Sequence, residues 1–503
     1  MRSITPVPAC LWIAALATAG VVAPVRSQEL TPGLKTKLER WYRSAHRTAP
    51  GTWGIAVADQ EGQILWSVNP DEALIPASTV KLLTTGYARS VLGSDARRAT
   101  RVVGYGRLDE DDGRWIGRWA LQLNGDPTLE SPTGSGPKLL DLANQLAAQG
   151  IRHLQGPLQV LSGNGQPAEA HFPRVWRTAN WGSIYAPLVG SLTLHENMVM
   201  LYVQPGSRPG ARARLVETSP SGLDALVNVH ATTVPGRRSR LRINRMADGG
   251  YLVTGAVGTG AGTRRLTSVA ADPKAVLAAA WARALQQAGI EWDRTPPVIN
   301  VENDPSEVLA EVTSAPFDSL AYEINRRSLN IGAELLLRWA AAGSDSAPEL
   351  LTEHVEQVAG VAGGVKLVDG SGMSHEDRVT PATFIYYMAN VQNTPAGRNF
   401  PYLLPANGVG TLARLASGLP GQGVVRAKTG TLSGVSTLVG YLGRRDGVFI
   451  VSLMYNGPRA HAAKRQEWQA FRLLGAEGVT IPPDEPSDDG PETERLGGDS
   501  TGR

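Results

Sequence analysis

The stretch Pro76-Ala77-Ser78-Thr79-Val80-Lys81, followed by Leu82-Leu83-Thr84-Thr85, constrains this chain more than any other. A serine and a lysine three residues apart share one face of a helix. There the amine can accept a proton that a free hydroxyl does not release unaided. Spacing alone decides nothing, because Ser135-Gly136-Pro137-Lys138 repeats it in a Gly/Pro-rich loop that cannot hold a helical face. Ser78 differs by its position, after Pro76 and at the head of an apolar run that continues as a helix through Tyr87 and Val91. To acylate, such a serine also needs a second hydroxyl to reach the leaving group, a cation for an anionic substrate and oxyanion donors.

The length of 503 residues exceeds one compact domain and predicts two or three. With 42% hydrophobic residues, 19% charged residues and a net charge of +3, nothing argues for nucleic-acid binding. Residues 1–27 read as a secretory signal: Arg2 supplies the basic region, Cys10 to Ala23 the apolar region, and Val25-Arg26-Ser27 a cleavage site before Gln28. The apolar run is short for a membrane span, so membrane association is expected to be peripheral at most and the protein to be exported. The single cysteine, Cys10, lies inside that signal. The remaining chain then has no thiol, which excludes cysteine nucleophiles, thiolate metal sites and disulfides. The histidines, His195 and His375 among them, show no spacing of a metal site, and no cofactor is expected.

Taken in order, Thr31-Pro32 caps an amphipathic helix bearing Leu34, Leu38, Trp41 and Tyr42. Trp53, Ile55 and Val57, then Ile64, Trp66 and Val68, alternate as a hairpin leading to the Ser78 helix. Residues 99–265 have the texture of an inserted β-rich region, with one helix from Lys138 to Gln149 and a possible subdomain at about 125–165. Helical texture resumes at Asp272-Pro273, then at Phe317 to Asn325, Gly332 to Ala342 and Pro381 to Tyr387. Strands follow at Val424 to Lys428, Ser436 to Leu442 and Val448 to Tyr455, and a last helix at Ala460 to Leu474. The catalytic domain is therefore expected to be discontinuous, 28–98 plus 266–479, followed by a disordered acidic tail over 480–503.

Two further motifs supply the missing partners. Ser328-Leu329-Asn330 lies in a turn between two helical segments, where a hydroxyl and an amide can project together. Lys428-Thr429-Gly430-Thr431 ends an apolar strand, and its glycine is read as room for a ligand against the backbone. The order Ser-x-x-Lys, Ser-x-Asn, Lys-Thr-Gly is that of penicillin-binding proteins and class A β-lactamases. The chain resembles the serine D-alanyl-D-alanine carboxypeptidase/endopeptidases, the low-molecular-mass class C penicillin-binding proteins of the penicillin-binding protein four type. Asn124-Gly125-Asp126-Pro127-Thr128-Leu129, Asp272-Pro273, Asp369-Gly370-Ser371-Gly372-Met373-Ser374 and Gly410-Thr411-Leu412 extend the likeness over nearly the whole chain. Leu329 and Met373 depart from the usual residues at their positions.

The resemblance implies an α+β transpeptidase-like fold, an antiparallel sheet flanked by helices, and a serine peptidase acting on peptidoglycan stem peptides. It implies cleavage of D-Ala-D-Ala, of D-Ala-diamino acid cross-links, or of both, with β-lactams as covalent inhibitors. By the same resemblance Ser78 attacks, Lys81 is the base, and Ser328 relays the proton. Asn330 holds Lys81, and Lys428, Thr429, Gly430 and Thr431 line the substrate carboxylate site, with the N–H groups of Ser78 and Thr431 as oxyanion donors. Lys81 must then be neutral, for which partial burial and the charge of Lys428 are the expected causes. Asp126, Asp369 and Ser371 read as turn residues, with Ser371, Ser374, Arg414 and Asn456 as further candidates at the cleft edge. Two alternatives stand beside this reading. A β-lactamase-like hydrolase would need a deacylating base such as Glu334, and a non-catalytic peptidoglycan-binding protein would bind muropeptides without releasing D-alanine.

Overall fold

A computed structural model of the chain describes residues 29–296 and 306–483. The expected signal, residues 1–27, and all but the first four residues of the expected tail lie outside the described residues. Of those four, Ile481 is buried and its N–H donates to the Gly423 carbonyl at 3.1 Å, so the start of the expected tail packs on the fold.

Nine α-helices are described: α1 (Pro32–Thr48), α2 (Val80–Leu92), α3 (Leu139–Ala148), α4 (Pro273–Gln287), α5 (Phe317–Arg327), α6 (Asn330–Ala340), α7 (Ala347–Ala359), α8 (Pro381–Val391) and α9 (Ala460–Leu474). The main sheet has five antiparallel strands in the order Val425–Leu432, Val435–Arg444, Gly447–Asn456, Thr52–Ala58, Ile64–Val68. The N-terminal hairpin thus completes a sheet begun by the C-terminal strands, with Thr52 opposite Asn456. Alternation along each strand divides the core. Ile55, Val57, Leu438 and Leu442 face α1 and α9, while Ala56, Ala58, Val439 and Tyr441 face α2, α5, α6, α7 and α8. This is the α+β architecture, a sheet between two helical layers.

The sheets of the inserted region take in residues beyond 265. Strand Ser306–Thr313 pairs with Ala99–Asp109, and Arg264–Val269 pairs with Met198–Gln204. Helix α4 buries Val276, Leu277, Trp281 and Leu285 in one core with Leu139, Leu142 and Leu146 of α3. The insertion therefore reaches residue 313, and the expected return at 266 is corrected. The Asp272-Pro273 cap marks a helix start correctly; it carries no information about which core the helix joins. The expected subdomain at about 125–165 is likewise not separate. His153–Gln155 and Gln159–Ser162 both pair with Arg114–Leu123, in a six-stranded sheet shared with the first and last strands of the insertion.

Helix α2 is buried along its length, from Val80 to Arg89. Gly86 sits where a Cβ would lie 2.1 Å from the Tyr387 hydroxyl, on a ring fully enclosed between α8 and Phe400. In an exposed helix, Gly→Ala stabilises by about 1 kcal/mol. Here Gly86→Ala is expected to destabilise by about 1–3 kcal/mol through overpacking. A urea-unfolding midpoint below that of the wild type checks this, and a raised midpoint refutes the packing argument.

Candidate active site

The elbow bearing Ser78 is built by neighbours that leave no room for side chains. Ser78 lies in the 3-10 turn Ala77–Thr79 that feeds α2, with Ala77 in the left-handed region at φ +49°. The Pro76 carbonyl accepts from Thr79 Oγ1 at 2.7 Å and from Thr437 Oγ1 at 2.8 Å, which ties the turn to the sheet. A Cβ on Gly430 would lie 2.1 Å from Thr437 Oγ1 and 2.7 Å from the Pro76 carbonyl. Gly430 is therefore a packing glycine that lets the strand Val425–Leu432 reach the elbow, not the ligand-approach glycine expected from sequence. Gly372, at φ +73°, presses on the other side, where a Cβ would lie 1.9 Å from the Ala77 carbonyl. Asn456, a candidate cleft residue, instead clamps Ile75, accepting from its N–H at 2.9 Å and donating to its carbonyl at 3.2 Å.

Lys81 is fully buried and its Nζ meets three oxygens: Ser78 Oγ at 3.0 Å, Asn330 Oδ1 at 2.6 Å and the Ser371 carbonyl at 2.6 Å. The Asn330 amide is oriented because its Nδ2 donates to the Tyr185 carbonyl at 2.7 Å. Two of the three oxygens can only accept. A neutral amine has two N–H bonds and one lone pair, so both hydrogens are committed and the lone pair faces Ser78 Oγ. Burial pushes Lys81 down to about 7, against the carboxylates Asp369, Glu334 and Asp377, which push it up. The expected cause is thereby corrected: removal from water is complete rather than partial, and Lys428 is not among the groups that shift Lys81.

Ser328 occupies the left-handed C-cap of α5, φ +58°, and α6 starts two residues later. That sharp turn projects the hydroxyl towards Lys428, whose Nζ donates to Ser328 Oγ at 3.0 Å and to the Thr429 carbonyl at 2.8 Å. Lys428 is also fully buried, and burial, then the neighbouring charges of Lys81 and Lys464, hold it well below the usual lysine value. Thr429 is buried and Thr431 exposed, with Lys464 Nζ donating to Thr431 Oγ1 at 3.4 Å. Ser78, Ser328, Asn330 and Thr431 line one cavity of about 490 Å³, with Arg177, Asn180 and Tyr185 of the insertion and Met373 and His375 opposite.

Beneath Lys81 lies a carboxyl cluster, of which the sequence reading took Asp369 for a turn residue and Glu334 for a base only in a β-lactamase-like alternative. Asp369 accepts from the N–H groups of Ser371, Gly372 and Ser374 at 3.1, 2.6 and 2.8 Å, and from Trp176 Nε1 at 3.1 Å. It thereby shapes the loop whose Ser371 carbonyl receives Lys81, and it fastens the insertion to that loop. Glu334, one turn beyond Asn330 on α6, accepts from Gly370 N–H at 3.1 Å and is raised to about 7 by burial and by Asp369. Asp377 is raised for the same two reasons. Ser371 and Ser374 are fully buried, so neither contacts a ligand through its hydroxyl as the edge reading supposed, and Arg414 lies on the exposed surface. Asp-Gly-Ser-Gly was the visible signal for this loop; nothing local marked Trp176 or Tyr185. Among the other candidates, Asp126 is a turn residue, accepting from Thr128 N–H and Oγ1. His195 is locally bonded, to the Met198 carbonyl and Ser219 Oγ.

The model of the D-Ala-D-Ala carboxypeptidase 3 (S13) family matches residues 37–476. A D-alanyl-D-alanine carboxypeptidase of Actinomadura sp. (strain R39) is 29% identical over 456 residues, covering 85% of this chain and 82% of its own. Penicillin-sensitive carboxypeptidase A of Dictyostelium discoideum is 25% identical over 432 residues, covering 78% and 79%. The crystal structure of penicillin binding protein 4 (dacB) from Haemophilus influenzae superposes with a TM-score of 0.68 at 20% identity, over 87% of this chain and 99% of that one. The structural likeness carries the fold, and the family match carries the chemistry. A chain matched from before its first strand to its last helix belongs to the D-Ala-D-Ala carboxypeptidase 3 (S13) family and is a serine-type D-Ala-D-Ala peptidase.

Proposed function

We propose that Ser78 is the acylated nucleophile and that this peptidase works outside the cytoplasm on peptidoglycan stem peptides. The observation that carries this is the geometry of Lys81, whose hydrogens are both committed to acceptors while its third direction faces Ser78 Oγ at 3.0 Å. Neutral Lys81 takes the Ser78 proton as Oγ attacks the penultimate D-alanine carbonyl. Ser328, held by Lys428, gives its proton to the leaving D-alanine nitrogen and is reprotonated by Lys81, which returns that base to its neutral form. Lys428, Thr429 and Thr431 bind the terminal carboxylate, Gly430 closes the strand on the elbow, and the N–H groups of Ser78 and Thr431 stabilise the oxyanion. Water then releases the acyl group. A β-lactam enters as a substrate mimic and remains as the stable acyl-enzyme. No carboxylate lines the cavity among the described residues, and Glu334 sits behind Lys81 bonded to Gly370. That arrangement supports a peptidase over a β-lactamase, since no base is placed to speed deacylation.

Labelled penicillin followed by peptide mass mapping tests the assignment. The adduct is expected on the peptide bearing Ser78 and is expected to vanish in Ser78→Ala; label on any other serine rejects it. Release of D-alanine from a pentapeptide separates the enzyme from a binding protein.

The pH dependence follows from Lys81. A base whose value burial lowers to about 7 is protonated and inactive below that pH. Penicillin acylation is therefore expected to rise with pH through about 7 and level off above it. Glu334 pushes Lys81 up, so Glu334→Gln removes that push and moves the acid limb to lower pH. Stopped-flow acylation rates across pH 5–9 give the readout, and a limb that moves upward contradicts the electrostatic sign.

A further inference from the structure

At the far end of α6 from the active site, a crevice of about 410 Å³ separates that helix from the insertion. Arg98, Leu335, Arg338, Trp339 and Ala342 are among its lining residues, with polar and glycine residues of the insertion, Asn124 and Ser162 among them. The Arg98 guanidinium lies over the Trp339 ring, 4.5 Å from its centroid, which leaves its edge free to donate. Among the described residues, neither the Arg98 nor the Arg338 guanidinium has a hydrogen bond or an ion pair. The acidic groups that face them are buried: Asp126 acts on Arg98 only through space, and Glu334 faces Arg338 from one turn back on α6. Burial raises both carboxyls. The walls are fixed in advance. Gly125, at φ +68°, would place a Cβ 2.9 Å from Leu335, Gly163 one at 2.0 Å from Asn124 Oδ1, and Gly190 one at 2.0 Å from the Glu169 carbonyl. Backbone therefore closes on side chain without obstructing the space.

We propose that this crevice is a second binding site, in which Arg98 and Arg338 hold a free carboxylate of a peptidoglycan stem peptide other than the bond being cut. The proposal rests on the peptidase reading. Two guanidiniums with free donor edges match a carboxylate's two oxygens, and Trp339, Leu335 and Ala342 offer apolar contact to the aliphatic chain that carries it. Reach agrees as well. Nine residues of α6 separate Asn330, at the cavity, from Trp339, a rise of about 14 Å. That is about the span of four extended peptide residues. A polymeric substrate presents such carboxylates on neighbouring arms, so the crevice would grip the wall while the cavity cuts it.

The test keeps the two sites apart. The protein is first acylated with benzylpenicillin, and a disaccharide tripeptide, which lacks the D-Ala-D-Ala bond, is titrated in by calorimetry. Binding is expected to persist in the acylated enzyme and to weaken about tenfold for each guanidinium removed, the effect of one charge-assisted hydrogen bond. Arg338→Gln is the main variant because Arg338 is exposed and removing it leaves no partner orphaned; Arg98→Gln is the second, with a thermal midpoint for each. Loss of binding on acylation, equal binding by Arg338→Gln, or equal binding of a probe whose carboxylates are amidated overturns the proposal. Displacement by inorganic phosphate as effectively as by free tripeptide also overturns it, since the site would then read charge and not the peptide arm. If penicillin fails to acylate, the peptidase assignment is lost, while the arginine dependence of tripeptide binding still decides the crevice.

Discussion

Two lysines removed from water set the terms for everything else in this molecule. An isolated buried ammonium is costly, and a lysine meets that cost by giving up its proton or by gathering acceptors. Lys81 does both, with two fixed acceptors and a value pushed down to about 7. Lys428 has Ser328 Oγ and the Thr429 carbonyl. The surrounding fold can be understood as the means of keeping both amines dry and pointed. The first and last parts of the chain share one sheet, so Lys428, on an edge strand, packs across the elbow that precedes Lys81. Glycines at 372 and 430 let that elbow be squeezed from two sides without a side chain in the way.

The insertion belongs to this arrangement rather than standing outside it. Trp176 binds Asp369, the Tyr185 carbonyl orients Asn330, and Glu196 forms a bidentate pair with Arg327, one residue before Ser328. Each contact lands on a residue that carries, or directly precedes, a motif side chain. Truncating the insertion would therefore release the amide that holds Lys81 and the loop whose carbonyl receives it.

How much of this the sequence disclosed depends on the range of the interaction. Ser-x-x-Lys is a helical pair, and the cap at Asp272 and the alternation of Ile55 and Val57 are also local, so each could be read directly. The order of the three motifs, together with the family resemblance, led to Ser78, Lys81, Ser328, Asn330 and Lys428; Ser78, Ser328 and Asn330 line one cavity, and the buried Lys81 and Lys428 bond the hydroxyls of Ser78 and Ser328. Contacts between distant segments left no such trace. Asp369 looked like a turn aspartate, which it is, but its second oxygen reaches back 193 residues to Trp176. Helix α4 looked like the return of the catalytic domain because a capped amphipathic helix has the same pattern in either core. The glycine of Lys-Thr-Gly was visible, while the carbonyl that forbids a side chain there belongs to Pro76.

On the proposed mechanism the charge of Lys428 would matter once substrate is bound, since burial and Lys81 both work against it in the free enzyme. A substrate carboxylate brought against it reverses that balance, since an adjacent anion favours the ammonium. Once Lys428 is charged, its coupling to Lys81 acts in the opposite direction and disfavours a proton on Lys81. The enzyme then needs no permanently neutral base. On the proposed mechanism, a carboxylate bound at Lys428 would favour its ammonium, and that charge would in turn disfavour a proton on Lys81, readying the acceptor when a scissile carbonyl is in reach. An uncharged peptide end lacks that effect. Discrimination against it would then fall on the acylation step as well as on binding, through two amines each bonded to one serine hydroxyl, Lys81 to Ser78 and Lys428 to Ser328.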